Sequence, residues 1–170
     1  TGIHDLENFD WITYFENNKK HRKKLDLIHL DALSRADRAM IAPSIRAFSI
    51  GEASEGHHLS LCAQMYAVKS GWADYAKIMD CLIAEENYHS RLLKVFMASY
   101  QIRPGINSGL DTVFRFLRRR AGIECEVAVL VAAEMVAMTY YEALARVTNC
   151  QLLKTICAQM LHDERYHIVL

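Results

Sequence analysis

Two distant stretches of the chain, Glu85-Glu86-Asn87-Tyr88-His89 and Asp163-Glu164-Arg165-Tyr166-His167, repeat one pattern: acid, Glu, any residue, Tyr, His. On a helix, positions three apart share a face, so each Glu and its His can bind one ion from the same side. A single Glu-x-x-His is weak evidence, because surface helices produce it often. Two copies with the same flanking residues constrain the chain far more. They ask for two long helices whose acidic faces meet, and for a further carboxylate on a helix facing each of them.

The rest of the sequence supplies such helices. Hydrophobic residues make up 52% of the 170 positions, with only seven glycines and two prolines, which favours long helices over a turn-rich β fold. Apolar residues recur at helical spacing over 43–68, where Pro43 suits either a first helical turn or a kink in a helix that begins earlier. Ser70-Gly71 predicts a stop, and 72–100 resumes the pattern until Arg103-Pro104-Gly105 breaks it. A short amphipathic helix over 110–120 is predicted within a long connection. The stretch 122–147, with Val127-Ala128-Val129-Leu130-Val131-Ala132-Ala133 near its start, is apolar enough to predict the most buried helix. Thr148-Asn149 predicts a cap, and 151–170 predicts a last helix. The architecture expected is therefore all-α: two antiparallel helix hairpins joined by a long crossover over 37–170, with residues 1–36 as a helical extension packed outside.

In that arrangement the ligand-type residues reach one level. Glu55 lies 16 residues before Gly71 and Glu86 15 after it, while Glu134 and Glu164 each lie 15 residues from Asn149. At 1.5 Å rise per residue, 15 residues place each side chain roughly 22 Å from its turn. Glu55, Glu86, His89, Glu134, Glu164 and His167 would then meet in one layer of the core. Glu134 sits among Val131, Ala132, Ala133, Met135 and Val136, where an unpaired buried carboxylate would cost several kcal/mol and a cation would offset that cost. Four carboxylates and two imidazoles balance two divalent ions and suit iron, manganese or a mixed iron and manganese pair better than zinc or calcium.

Neighbouring residues extend the set. Glu52 is one turn before Glu55 and is an alternative ligand, His58 stands three residues after Glu55, and Tyr141 falls on the ligand face of its segment, as a core tyrosine or a redox-active one. His57 is expected to point outward. Met138, Tyr141 and Leu61 are expected to line the site.

Other features set limits. Twenty basic and twenty acidic residues cancel, which argues against a nucleic-acid partner. The basic run Asn17-Asn18-Lys19-Lys20-His21-Arg22-Lys23-Lys24 predicts a solvated face. Cys62, Cys81, Cys125, Cys150 and Cys157 form no Cys-x-x-Cys pair, so a reducing cytoplasm is expected and the cysteines are read as inert core residues. No apolar run is read as reaching the roughly 18 residues of a membrane span, and the polar start does not resemble a signal peptide.

The helical pattern with its paired Glu-x-x-His resembles the ferritin-like di-iron carboxylate superfamily, which includes bacterioferritin, rubrerythrin, ribonucleotide reductase small subunits and aldehyde-deformylating oxygenase. The resemblance runs from about Pro43 to Leu170. It implies Glu55 and Glu134 as single-helix carboxylates, Glu86 and Glu164 as bridging ones, and His89 and His167 as terminal imidazoles. It also implies that Asp163 hydrogen-bonds His89 and Glu85 hydrogen-bonds His167. The function it implies is an iron centre that activates O2 or peroxide as an oxidoreductase on a small apolar substrate, fed by an electron donor. Iron oxidation for storage or detoxification, and a metal-binding structural bundle without turnover, are the alternatives, and a homodimer is one assembly open to it. The chain lacks rubredoxin-like cysteine pairs, and its N-terminal extension differs from a cage-forming ferritin.

Overall fold

A computed structural model of the chain describes residues 9–53, 56–105 and 122–170, and every regular element among them is a helix. In chain order these are α1 (Trp11–Lys20), α2 (Arg35–Glu52), α3 (Gly56–Ser70), α4 (Tyr75–Ser99), α5 (Ile123–Val147) and α6 (Gln151–His167). α4 packs against both α2 and α3, α5 packs against α6, and α1 lies across α4.

The helix starts follow from local chemistry. Asp10 accepts a hydrogen bond from the Thr13 amide, and the Ser34 hydroxyl oxygen accepts one from the Asp37 amide, so each satisfies an amide that the first helical turn leaves open. α2 thus begins at Arg35, and Pro43 lies inside it instead of in its first turn. Pro43 and Ala39, the residue whose carbonyl loses its amide partner, are both on the exposed side, where water can take up the carbonyl.

The single helix expected over 43–68 is interrupted between α2 and α3. Its sequence there, Gly51-Glu52-Ala53-Ser54-Glu55-Gly56, carries two glycines, each costing about 1 kcal/mol relative to alanine inside a helix. Gly56 has a second reason to be glycine: a Cβ there would overlap Ile83 Cγ2 of α4. At the other end, Gly71 takes φ +76° and its amide donates to the Ala67 carbonyl, closing α3 before the turn into α4. α6 is capped at Cys150, not by Thr148-Asn149 as expected; the Thr148 hydroxyl accepts from the Cys150 amide within the turn.

Two apolar clusters make the core. One gathers Ile45 of α2, Leu93 and Phe96 of α4, Tyr141 of α5 and Leu153, Ile156 and Met160 of α6; the other gathers Trp11 and Phe15 of α1, Ala63 of α3, and Ile78 and Leu82 of α4. Between them in the order of each helix lies a polar layer: Glu52, then Glu85 and His89, then Glu134, then Asp163, Glu164 and His167, all buried.

The expectation that 122–147 is the most buried helix is overturned. α5 buries one stripe, Glu126, Glu134, Ala137, Tyr141 and Leu144, and leaves Met135 58%, Val136 62% and Val147 75% exposed. Only one face of α5 meets other described helices, and that face carries its two buried glutamates, so the apolar residues are displaced outward. By length and composition alone α5 could cross a membrane, its best 18-residue window having mean hydropathy 1.5, which corrects the reading that no stretch reaches that length. The short helix expected over 110–120 lies outside the described residues.

Replacing Gly56 by Ala should push against the β-branched Ile83 and destabilise the fold by about 1–3 kcal/mol in chemical denaturation, whereas Gly122→Ala, with nothing near its would-be Cβ, should cost under about 1 kcal/mol.

Candidate metal centre

Four helices feed the polar layer. α2 contributes Glu52, α4 Glu86 and His89, α5 Glu134, and α6 Glu164 and His167. One donor atom from each of Glu52, Glu86, His89 and Glu164 lies within 4.8 Å of the others, and the same is true of Glu86, Glu134, Glu164 and His167. Glu86 and Glu164 belong to both groups. The His89 and His167 ring centroids are 5.7 Å apart.

Both imidazoles are held in one sense. His89 Nε2 is 2.9 Å from Asp163 Oδ2, and His167 Nε2 is 3.1 Å from Glu85 Oε2. Each ring therefore turns Nδ1 toward the glutamates: His89 Nδ1 lies 3.2 Å from Glu164 Oε1, and His167 Nδ1 lies 2.9 Å from Glu164 Oε2 and 3.0 Å from Glu86 Oε1. The pairing is crosswise, the acid before each Glu-x-x-His holding the histidine of the other copy.

α1 ties the two acids together. Trp11, Phe15 and Asn18 form its buried stripe at helical spacing, so docking the two aromatic rings delivers Asn18 to the layer. Its Nδ2 donates to Glu85 Oε1 at 2.8 Å and to Asp163 Oδ1 at 2.7 Å. Gln159 Nε2 also donates to Asp163, at 2.9 Å, and the Arg22 guanidinium lies 3.9 Å from Glu85 and 3.8 Å above the Tyr88 ring.

The layer is electrostatically tense. Burial first, and then the Glu52 and Glu164 carboxylates, push Glu86 up to about 8; burial and the neighbouring Glu86 push Glu134 up to about 12. Burial also opposes ionisation of Glu164 and protonation of the two imidazoles, but hydrogen bonds among them prevail. Glu164 is held well below the usual carboxylate range, and His89 and His167 well above the usual imidazole value. Protons thus occupy the places where positive charge is needed. Even so, Glu52 Oε2, Glu86 Oε1, His89 Nδ1 and Glu164 Oε1 are buried and, although close to charged neighbours, make no well-aligned hydrogen bond among the described residues; all four belong to the two donor groups. Unsatisfied polar atoms concentrated at one point, three of them carboxylate oxygens, fit a cation there.

Of the expected ligands, the layer brings together Glu86, His89, Glu134, Glu164 and His167, while Glu55 lies outside the described residues. Glu52 stands in the layer. Tyr141, fully buried, donates its hydroxyl to Glu52 Oε1 at 2.6 Å. His57 is exposed, and His58 is engaged by Glu126, away from the layer. Leu61 does not line the site: it is 44% exposed, because it lies on the outer face of α3. Cys125 is exposed as well, so reading all five cysteines as core residues is corrected. Asn18, Arg22 and Gln159 were not anticipated. The first two sit in the run read as a solvated face, and the signal for Asn18 is its helical spacing from Trp11 and Phe15. Comparisons of the chain with models of protein families, with curated proteins and with solved structures return no match.

Asp163, fully buried, is the shared acceptor for His89, Asn18 and Gln159. Its replacement by Ala should destabilise the metal-free protein by about 3–5 kcal/mol in denaturant titrations with chelator present, the penalty of stranding buried partners.

Proposed function

We propose that the chain is a ferritin-like non-haem protein that binds two metal ions, iron in the first instance, and uses them to activate O2 or peroxide as an oxidoreductase on a small apolar substrate. The observation that carries this reading is the overlap of the two donor groups: Glu86 and Glu164 shared, with Glu52 and His89 completing one and Glu134 and His167 the other.

Donor chemistry supports it. Four carboxylates and two imidazoles suit iron or manganese, and four ionised carboxylates neutralise two divalent ions in a core where net charge is costly. Bound iron would supply one-electron redox chemistry toward oxygen; the rest is the work of the chain's own residues. Asp163 and Glu85 hold the imidazoles by Nε2, which leaves each Nδ1 lone pair free for an ion once its proton is displaced. The Tyr141 hydroxyl fixes one Glu52 oxygen and leaves the other, Oε2, facing the layer. The apolar clusters on both sides limit the approach of water.

Ions entering the layer must displace protons held by Glu86, Glu134, His89 and His167. These groups hold protons more tightly than isolated ones, so binding should release protons and the apparent affinity should fall as pH is lowered from about 8 to about 6. Calorimetry in buffers of different ionisation enthalpy reads both effects, and an affinity that rises on acidification would contradict the assignment.

Anaerobic ferrous titration should reach two ions per chain in the wild type and fewer in Glu134→Ala, with helical circular dichroism unchanged. Unaltered metal content in Glu134→Ala removes α5 from the site. Ferrous-loaded protein mixed with O2 should consume it in proportion to the bound pair; uptake of many irons per chain by a hollow multimer would instead favour storage.

A further inference from the structure

Metal-type donors converge a second time, outside the polar layer. His58 and Cys62 lie one turn apart on α3, and Glu126 faces them from the first turn of α5. One donor atom from each residue lies within 4.8 Å of the other two. His58 Nδ1 is 2.5 Å from Glu126 Oε1 and 3.8 Å from Cys62 Sγ. Glu126 is only 5% exposed, and its Oε2 is buried with no hydrogen-bond partner among the described residues.

Simpler readings leave part of this unused. An acid placed to complement the helix N-terminus would sit at the surface, as Glu124 in the same turn does. A cysteine nucleophile activated by histidine and oriented by a carboxylate needs the thiol and the carboxylate on opposite ring nitrogens. Here both address Nδ1, so no proton relay can run through the ring. A plain His58–Glu126 hydrogen bond leaves Oε2 and the thiol without a role. A cation among the three donors engages all of them.

We propose that His58, Cys62 and Glu126 form a separate mononuclear site for a zinc-type divalent ion, with three protein ligands and a fourth position open toward solvent. On binding, the Cys62 S–H bond breaks and its proton leaves to water. The proton between His58 Nδ1 and Glu126 Oε1 also leaves, as water returns one to His58 Nε2. Sulfur–metal, nitrogen–metal and oxygen–metal bonds form with no change of oxidation state. Thiolate and carboxylate together neutralise the ion. Nitrogen, sulfur and oxygen donors with one open position match zinc sites that have three protein ligands and a water in the fourth position. The sulfur ligand favours zinc over the iron or manganese suited to the oxygen-rich layer. The site shares no ligand with that layer; Glu126 precedes Glu134 by eight residues, about 12 Å along α5.

Co2+ added to the metal-free full chain tests this, because cobalt bound by thiolate absorbs in the near ultraviolet. The band should saturate at one ion per site, be bleached by Zn2+, and persist in Glu134→Ala and Cys125→Ser, so that its fate is independent of the two-metal reading. It should vanish in Cys62→Ser. Glu126→Gln keeps the side-chain shape, and there the affinity should fall about tenfold or more, with circular dichroism confirming an intact fold. No band in the wild type, a band surviving Cys62→Ser, or unchanged affinity in Glu126→Gln would each overturn the proposal.

Discussion

Burying five acids and two imidazoles in one layer, with Glu86 half-buried beside them, is the constraint around which the rest of the described structure is arranged. Each charge taken out of water carries a penalty of several kcal/mol unless it is closely paired. The chain meets this by making nearly every polar contact serve two partners. Asp163 accepts from His89, Asn18 and Gln159; Glu85 accepts from His167 and Asn18; Glu164 lies between both histidines. The apolar clusters above and below supply one partner to the layer, the Tyr141 hydroxyl that donates to Glu52.

The two Glu-x-x-His helices are near-equivalent, yet their surroundings differ. Glu134 sits in the middle of α5, whereas Glu52 is the last residue of α2, immediately before the interruption, and is steadied by the Tyr141 hydroxyl. One terminal carboxylate is thus anchored by a continuous helix and the other by a single hydrogen bond at a helix end. α1 adds a different asymmetry: by touching both Glu85 and Asp163 through Asn18, it makes the N-terminal helix part of the support of both imidazoles.

Much of this was legible from residue spacing, and the misses share a physical origin. The repeated acid-Glu-x-Tyr-His pattern locates α4 and α6, and counting from the turns brings Glu86, Glu134 and Glu164 to one level. That count assumed an unbroken helix over 43–68. α2 ends at Glu52, and Glu52, the alternative read one turn before Glu55, stands in the layer, while Glu55 lies outside the described residues. Asn18 escaped because a basic run masks the aromatic stripe that precedes it. α5 was misjudged because overall apolarity was taken to mean burial, whereas burial depends on which residues share the face turned toward neighbours. On α5 that face is set by Glu126, Glu134 and Tyr141.

The same face unites the two proposed sites and separates their chemistry. α5 presents Glu134 to a partner set of carboxylates and imidazoles, and two turns earlier presents Glu126 to an imidazole and a thiol. A single sulfur among the donors is enough to shift preference from hard, oxygen-seeking ions toward zinc. Because both glutamates lie on the stripe that also carries Ala137, Tyr141 and Leu144, rotating α5 to bury its outward Met135, Val136 and Val147 would withdraw both acids at once. The exposed apolar surface of this helix is therefore the structural consequence of keeping two carboxylates inside.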